Sequence, residues 1–175
     1  MPKTLGRART AGTEGSVLVF GIGNPGRRDD GLGPRIVERL RALALPGVAL
    51  DANDQLQIED ALTVSRFAEV VFVDAARSLD APFRLFRVAP GAAFSFSTHV
   101  LAPESVLALC RELYGRTPRA RLLAVRGADF EIGEGLSAEA ERNLEAALER
   151  LRGLLGTEKP GSRRQRDRPG RRKPL

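Results

Sequence analysis

Two adjacent carboxylates, Asp29 and Asp30, lie in a glycine-rich stretch, GIGNPGRRDDGLGP at residues 21–34. A third, Asp74, is expected to terminate the strand VVFVD, and the chain's one histidine, His99, lies in FSFSTHVLAPES just ahead of a helical pattern. Carboxylates and an imidazole form a donor set for a borderline divalent ion such as Ni²⁺ or Zn²⁺. Each member also has an ordinary structural use. Asp caps helices and closes turns, and a histidine before a helix is commonly a surface or cap residue. One of Asp29 and Asp30 is expected to cap the helix that starts near Gly33, which leaves the other for chemistry. The set carries more than its members if the fold brings them to one place.

The elements that must do so alternate between short β-rich runs and longer helical ones. SVLVFGIG is a strand and turn, and GLGPRIVERLRAL places Leu32, Ile36, Val37, Leu40 and Leu43 on one helical face. VALDAN is a second strand and QIEDALTVSRFAE a helix; VVFVDAA, residues 70–76, is the clearest strand, a β-branched run. FRLFRVAP follows as a strand, PESVLALCRELYG as a helix with Pro103 in its first turn, RARLLAVRG as a strand, and SAEAERNLEAALERLRGLL as an amphipathic closing helix with early glutamates. Alternation of this kind predicts a three-layer α/β/α domain with a mostly parallel sheet. Such sheets bind ligands outside the carboxyl ends of their strands. Asp29, Asp30 and Asp74 are all expected at that edge, with His99 in a loop before a helix.

Composition narrows the remaining chemistry. The 175 residues are 42% hydrophobic without an apolar run of membrane-spanning length, which suits one domain of ordinary core size. No secretory h-region is present at the N-terminus, so a cytoplasmic protein without a membrane is expected. A single cysteine, Cys110, leaves no intramolecular disulfide, CxxC pair or multi-cysteine zinc site; among apolar neighbours it reads as a small buried hydrophobe. The pI of about 10.6 raises a nucleic-acid reading. Residues 158–175, however, hold 8 basic and 2 acidic residues and account for the whole net charge of +6. A basic tail, expected to be disordered, therefore follows a neutral fold, and no specific nucleic acid is expected as partner. Gly21, Gly23 and Gly26 match G-x-G-x-x-G after a strand, but "RRDD" separates the third glycine from the helix and puts negative charge where a pyrophosphate would sit.

GIGNPGRRDDGLGPRIVERL, FAEVVFVDAA, STHVLAPESVLALCRELYG and VRGADFEIGEGLSAEAERNL, in this order, resemble the hydrogenase maturation endopeptidases, which process nickel-iron hydrogenase large subunits. The resemblance runs over roughly residues 17 to 152. It implies a five-stranded sheet flanked by helices, and removal of a C-terminal extension from the large-subunit precursor once nickel is in place. It assigns Asp30, Asp74 and His99 to the metal and to catalysis, with nickel presented by the substrate and another divalent metal such as zinc as the alternative. Either a metal-polarised or a carboxylate-activated water would attack. Asn24, Asp29, Asp54 and Gln55 are expected to meet the substrate, Asp29 by capping, orienting the loop or hydrogen-bonding a ligand. The family's Gly-Gly-Thr-like stretch after the second strand is replaced here by DANDQLQIEDA, with Asp54 and Gln55 in its place. The implied organisation is a disordered segment at 1–16, a protease domain at 17–157 and the tail at 158–175, with the precursor as partner and the enzyme a monomer. Two other readings share some of these features. One is a non-catalytic nickel-dependent scaffold for the large subunit. The other is a peptidyl-tRNA hydrolase-like enzyme, which shares Gly-Asn-Pro-Gly but has a histidine soon after it where this chain has RRDDG.

Overall fold

Alternate residues of the first strand, β1 (Val17–Ile22), face opposite layers, and both layers are apolar. The computed structural model describes residues 16–91 and 101–156. The expected N-terminal segment up to residue 15, the basic tail at 158–175 and His99 lie outside the described residues.

Within them the chain runs β1, a single 3-10 turn (Arg28–Gly31), α1 (Leu32–Arg41), β2 (Val48–Asn53), α2 (Asp60–Val64), β3 (Glu69–Ala76), β4 (Phe83–Val88), α3 (Pro103–Tyr114), β5 (Arg119–Arg126) and α4 (Ala138–Gly156). The five strands form one sheet in the order β2-β1-β3-β5-β4. All neighbours are parallel except β4, which runs antiparallel to β5 at the edge. The expected three-layer, mostly parallel architecture is therefore what forms. Central strands covered on both faces need continuous apolar sequence, and β1 and β3 supply it.

Leu18, Phe20, Val70 and Phe72 face the layer of α2 and α3, where Phe20 and Phe72 stack obliquely with centroids 6.2 Å apart. Val19, Val71 and Val73 face α1 and α4. Cys110 is buried on the α3 side, its thiol donating to the Ala61 carbonyl at 3.3 Å, and burial pushes the thiol up to about 11. That is the inert packing role its neighbours imply.

Three local expectations change. Leu43 lies beyond the end of α1 and is exposed, because the helix stops at Arg41 and turns through Ala44, whose φ is 46°. The second helix is one short turn and not the full length of QIEDALTVSRFAE. Its start is set by Asp60, whose carboxylate accepts the Gln57 N–H at 2.8 Å and folds residues 57–60 into a turn. Asp74 does not end its strand: β3 continues to Ala76, paired with Arg126 of β5.

Candidate active site

β1 leads by α1 to β2 on one side, while β3, its other neighbour, leads to β4 and β5 on the other. The strand order therefore reverses between β1 and β3, and at such a point the loops diverge and leave a crevice at the carboxyl edge. Asp30 follows β1 and Asp74 lies in β3, one residue beyond the Gly21–Val73 pairing. The two carboxylates thus flank that crevice.

Asp30 is placed by the glycine turn. Gly23 has φ 133°, open to glycine and strained for other residues, and a Cβ there would run into the Asp30 carbonyl. The turn closes with the Asn24 N–H donating to Asp30 Oδ2 at 2.8 Å and the Gly26 N–H donating to Asn24 Oδ1 at 2.8 Å. Asp30 Oδ1 has no bond within the described residues. Gly33, at the start of α1, lies so close to the sheet that a Cβ would be 2.5 Å from the Val73 carbonyl oxygen. The helix consequently begins directly against both site strands.

Asp74 is half-buried, on the face of β3 that Val70 and Phe72 share. Burial is the main force on its carboxyl; the Ala75 N–H at 2.8 Å lowers the pKa, the Asp30 charge raises it, and the result is pushed up to about 6. A carboxylate poised there is ionised at neutral pH yet basic enough to take a proton.

Asp29, expected among the substrate contacts, is 0% exposed and spent on structure. Its two oxygens accept from Ala128 N at 2.7 Å, Asp129 N at 2.8 Å, Ser137 N at 2.7 Å and Ser137 Oγ at 2.7 Å. Burial opposes ionisation, but these donors outweigh it and hold the carboxyl below its usual range. Of the roles considered for it, orienting a loop is the one the structure gives. Neither Asp29 nor Asp30 caps α1: its N-cap is Gly31, with no side-chain bond. The four donors to Asp29 instead tie the segment 128–137 beside the glycine turn. Across this join Arg28 N donates to the Gly133 carbonyl and Gly133 N to the Gly26 carbonyl, both at 2.9 Å. Arg28 is held at φ 46°, an uncommon conformation for a side-chain-bearing residue.

Asp54 and Gln55 are exposed in the loop after β2, on the same edge. That loop is joined to the glycine turn by the Gly23 N–H on the Asn53 carbonyl at 3.1 Å, and is braced below by the Asn53 amide on Asp60 at 3.2 Å. Asp60 is itself 4% exposed, and burial first, then the Asp51 and Glu59 charges, raise its carboxyl despite these bonds. The chain after residue 100 re-enters on this edge, with Leu101 bridging Leu56 and α3 starting at Pro103. No group of three metal-ligating side chains occurs among the described residues, which contain Asp30 and Asp74 but not His99.

The residues that sequence reading passed over are Arg27, Arg77 and Phe130. They line a cleft of about 520 Å³ together with Asn24. Arg77 was within reach of the carboxyl-edge rule, since it directly follows β3. Phe130 was not, because its position depends on the Asp29 tie.

Solved structures of the same shape are found. One is the hydrogenase maturating endopeptidase HybD from E. coli, 24% identical, with a TM-score of 0.65 over 81% of this chain and 92% of that one. A second is the [NiFe] hydrogenase maturation protease HycI from Thermococcus kodakarensis KOD1, 23% identical, TM-score 0.64, covering 81% and 92%. A third, an endopeptidase from Escherichia coli, is 25% identical, TM-score 0.64, covering 80% and 91%. The chain has the hydrogenase maturation endopeptidase fold. No protein-family model and no curated protein sequence matches it. The maturation-endopeptidase fold spans nearly the full length of these neighbours, so the whole α/β unit is shared and not a fragment of it.

Proposed function

We propose that this chain is an endopeptidase that removes a C-terminal extension from the precursor of a nickel-iron hydrogenase large subunit after nickel insertion, acting as a cytoplasmic monomer through the domain at 17–157. The observation that carries the reading is the pair Asp30 and Asp74 flanking the β1/β3 crevice of a maturation-endopeptidase fold, with Asp74 raised to about 6. His99 joins the pair in this reading by its place in sequence, two residues before Leu101.

Nickel arrives with the substrate. Asp30 offers a carboxylate oxygen that has no bond among the described residues, Asp74 a second carboxylate and His99 an imidazole, donors that suit a borderline ion. Meeting the ion with these side chains holds the adjoining scissile peptide against the crevice, so that binding becomes positioning. Above pH 6 Asp74 is ionised and competent for both tasks of a carboxylate here, ligating nickel and taking a proton from the attacking water. Asn24, Asp54 and Gln55 contact the precursor around the crevice, and Asp29 keeps the 128–137 segment in place beside it.

The test is to incubate the purified protein with nickel-loaded and nickel-free precursor and follow the precursor's intact mass, with His99→Ala as control. A loss equal to a C-terminal peptide, seen only with nickel and with His99 intact, is the expected result. Binding of the precursor without loss of mass would overturn the endopeptidase reading in favour of a scaffold. Release of peptide from peptidyl-tRNA would overturn it in favour of the hydrolase.

A further inference from the structure

Phe130 holds two arginines, one on its ring and one on its backbone. The Arg77 guanidinium carbon lies 4.1 Å from the ring centroid, and Arg27 Nη2 donates to the Phe130 carbonyl at 3.4 Å. Both arginines line the cleft of about 520 Å³, with Asn24 on one wall and Glu131 and Ile132 on the other chain segment. Arg28, next in sequence, is neutralised by Asp129, with Nε 3.4 Å from the carboxylate. Among the described residues neither Arg27 nor Arg77 has a carboxylate partner. Two like charges anchored on one residue repel, and their anchoring removes much of the rotamer freedom that an arriving ligand would otherwise have to freeze. An anion in the cleft relieves the first cost and benefits from the second.

We propose that this cleft binds the carboxylate side chain of an acidic residue in the substrate polypeptide, near the bond that is cut. The proposal rests on the endopeptidase reading for the identity of the polypeptide, and on the cleft alone for the chemistry bound. Two guanidinium groups and the Glu131 carboxylate leave one net positive charge, which matches a single carboxylate better than a phosphodiester backbone. Guanidinium is the cation whose planar fork fits a carboxylate with paired hydrogen bonds. Ile132, 89% exposed, gives an apolar contact for a residue flanking the acid.

The cleft adjoins the two site carboxylates. Asn24 lines it while its backbone N–H holds Asp30, and Arg77 follows Asp74 by three residues, about 10 Å of extended chain. The acidic residue would therefore sit within about three residues of the scissile bond. Recognition of this kind selects the precursor by sequence, in addition to selecting it by nickel.

The experiment uses the full chain, with the Arg27 and Arg77 side-chain N–H signals followed by NMR during titration with two C-terminally amidated octapeptides. One carries a single Glu beside an Ile; the other has Gln in place of Glu. The Glu peptide is expected to bind about tenfold more tightly, and the difference to vanish in Arg77→Gln and to be partly restored in Arg77→Lys. Equal affinities for the two peptides, or a preference that survives in both Arg27→Gln and Arg77→Gln, would overturn the proposal. Both peptides are also titrated with a free C-terminal carboxylate, and binding of these two alone, regardless of Glu, would overturn the proposal and make the cleft a chain-terminus site. Thermal melts of each variant separate loss of binding from loss of fold. None of these readouts needs proteolysis, so an inactive enzyme that still prefers the Glu peptide would sink the endopeptidase reading and leave the carboxylate site standing.

Discussion

Asp74 is the residue at which stability and chemistry pull apart. Its carboxyl is raised from the ordinary 3.8 to about 6, so the folded state prefers it protonated. Between those values each rise in pH weakens the fold, and above pH 6 the deficit reaches about 3 kcal/mol. Asp74→Asn keeps an oxygen for the Ala75 N–H and removes the charge. We expect it to be more stable than the parent at pH 7.5 and equal to it near pH 3.5 in urea titrations, while cleavage of the precursor falls roughly 10²-fold or more. Since the Asp30 charge contributes to the shift, Asp30→Asn should lower the Asp74 titration midpoint seen by carboxyl ¹³C NMR. An unchanged midpoint would remove the electrostatic link between them. Asp29 has the opposite sign. Its depressed carboxyl contributes stability above the unfolded value, lost as pH falls through the folded one. Asp29→Ala strands four donors, and a destabilisation of about 3 kcal/mol or more is expected, fully present above about pH 4 and shrinking as pH falls through the depressed folded value.

Three elements meet at Gly33, where the first turn of α1 is pressed against β1 and β3. Helix propensity alone makes Gly→Ala stabilising by about 1 kcal/mol. Contact with the Val73 carbonyl reverses that, since a Cβ at 2.5 Å requires the helix or the strands to move. Gly33→Ala is expected to cost about 1–3 kcal/mol by chemical denaturation and to displace Asp30 enough to reduce cleavage. A stabilised, fully active variant would show that the close approach has slack. At the other end of the site, Ser137 caps α4 by accepting the Ala140 N–H at 3.1 Å while its hydroxyl donates to Asp29. Ser137→Ala therefore loses a cap and a bond to a buried charge, and should cost about 1–2 kcal/mol.

At the level of the whole molecule, charge and fold are separate. The 18 residues from 158 onward carry the entire excess of +6, while the fold uses its ion pairs locally. Glu69, 3% exposed at the edge opposite the site, is held by Arg121 at 3.0 Å and Arg119 at 3.2 Å. Truncation after residue 157 should abolish retention on heparin at moderate salt, while the precursor is still cleaved. Loss of cleavage on truncation would assign the tail a part in substrate recognition.

The sequence by itself determined the architecture and one half of the site. Alternating strand and helix periods can be satisfied by few layer arrangements, and residues that follow parallel strands fall on one edge, so Asp30 and Asp74 were legible as neighbours. Spacing was silent on which of two adjacent aspartates would face the crevice, and only the family resemblance pointed to Asp30, because the choice is made by donors from Ala128, Asp129 and Ser137, about a hundred residues away in the chain. Helix caps follow local patterns, and local pattern favoured an Asp cap that the tight Gly33 contact leaves unused. The arginine cleft was equally hidden: Arg27 and Arg77 belong to different loops, and only the closing of the 128–137 segment over the glycine turn brings Phe130 between their environments. Spacing along the chain encodes periodic faces, whereas hydrogen bonds between distant loops are decided only when the sheet has put those loops side by side.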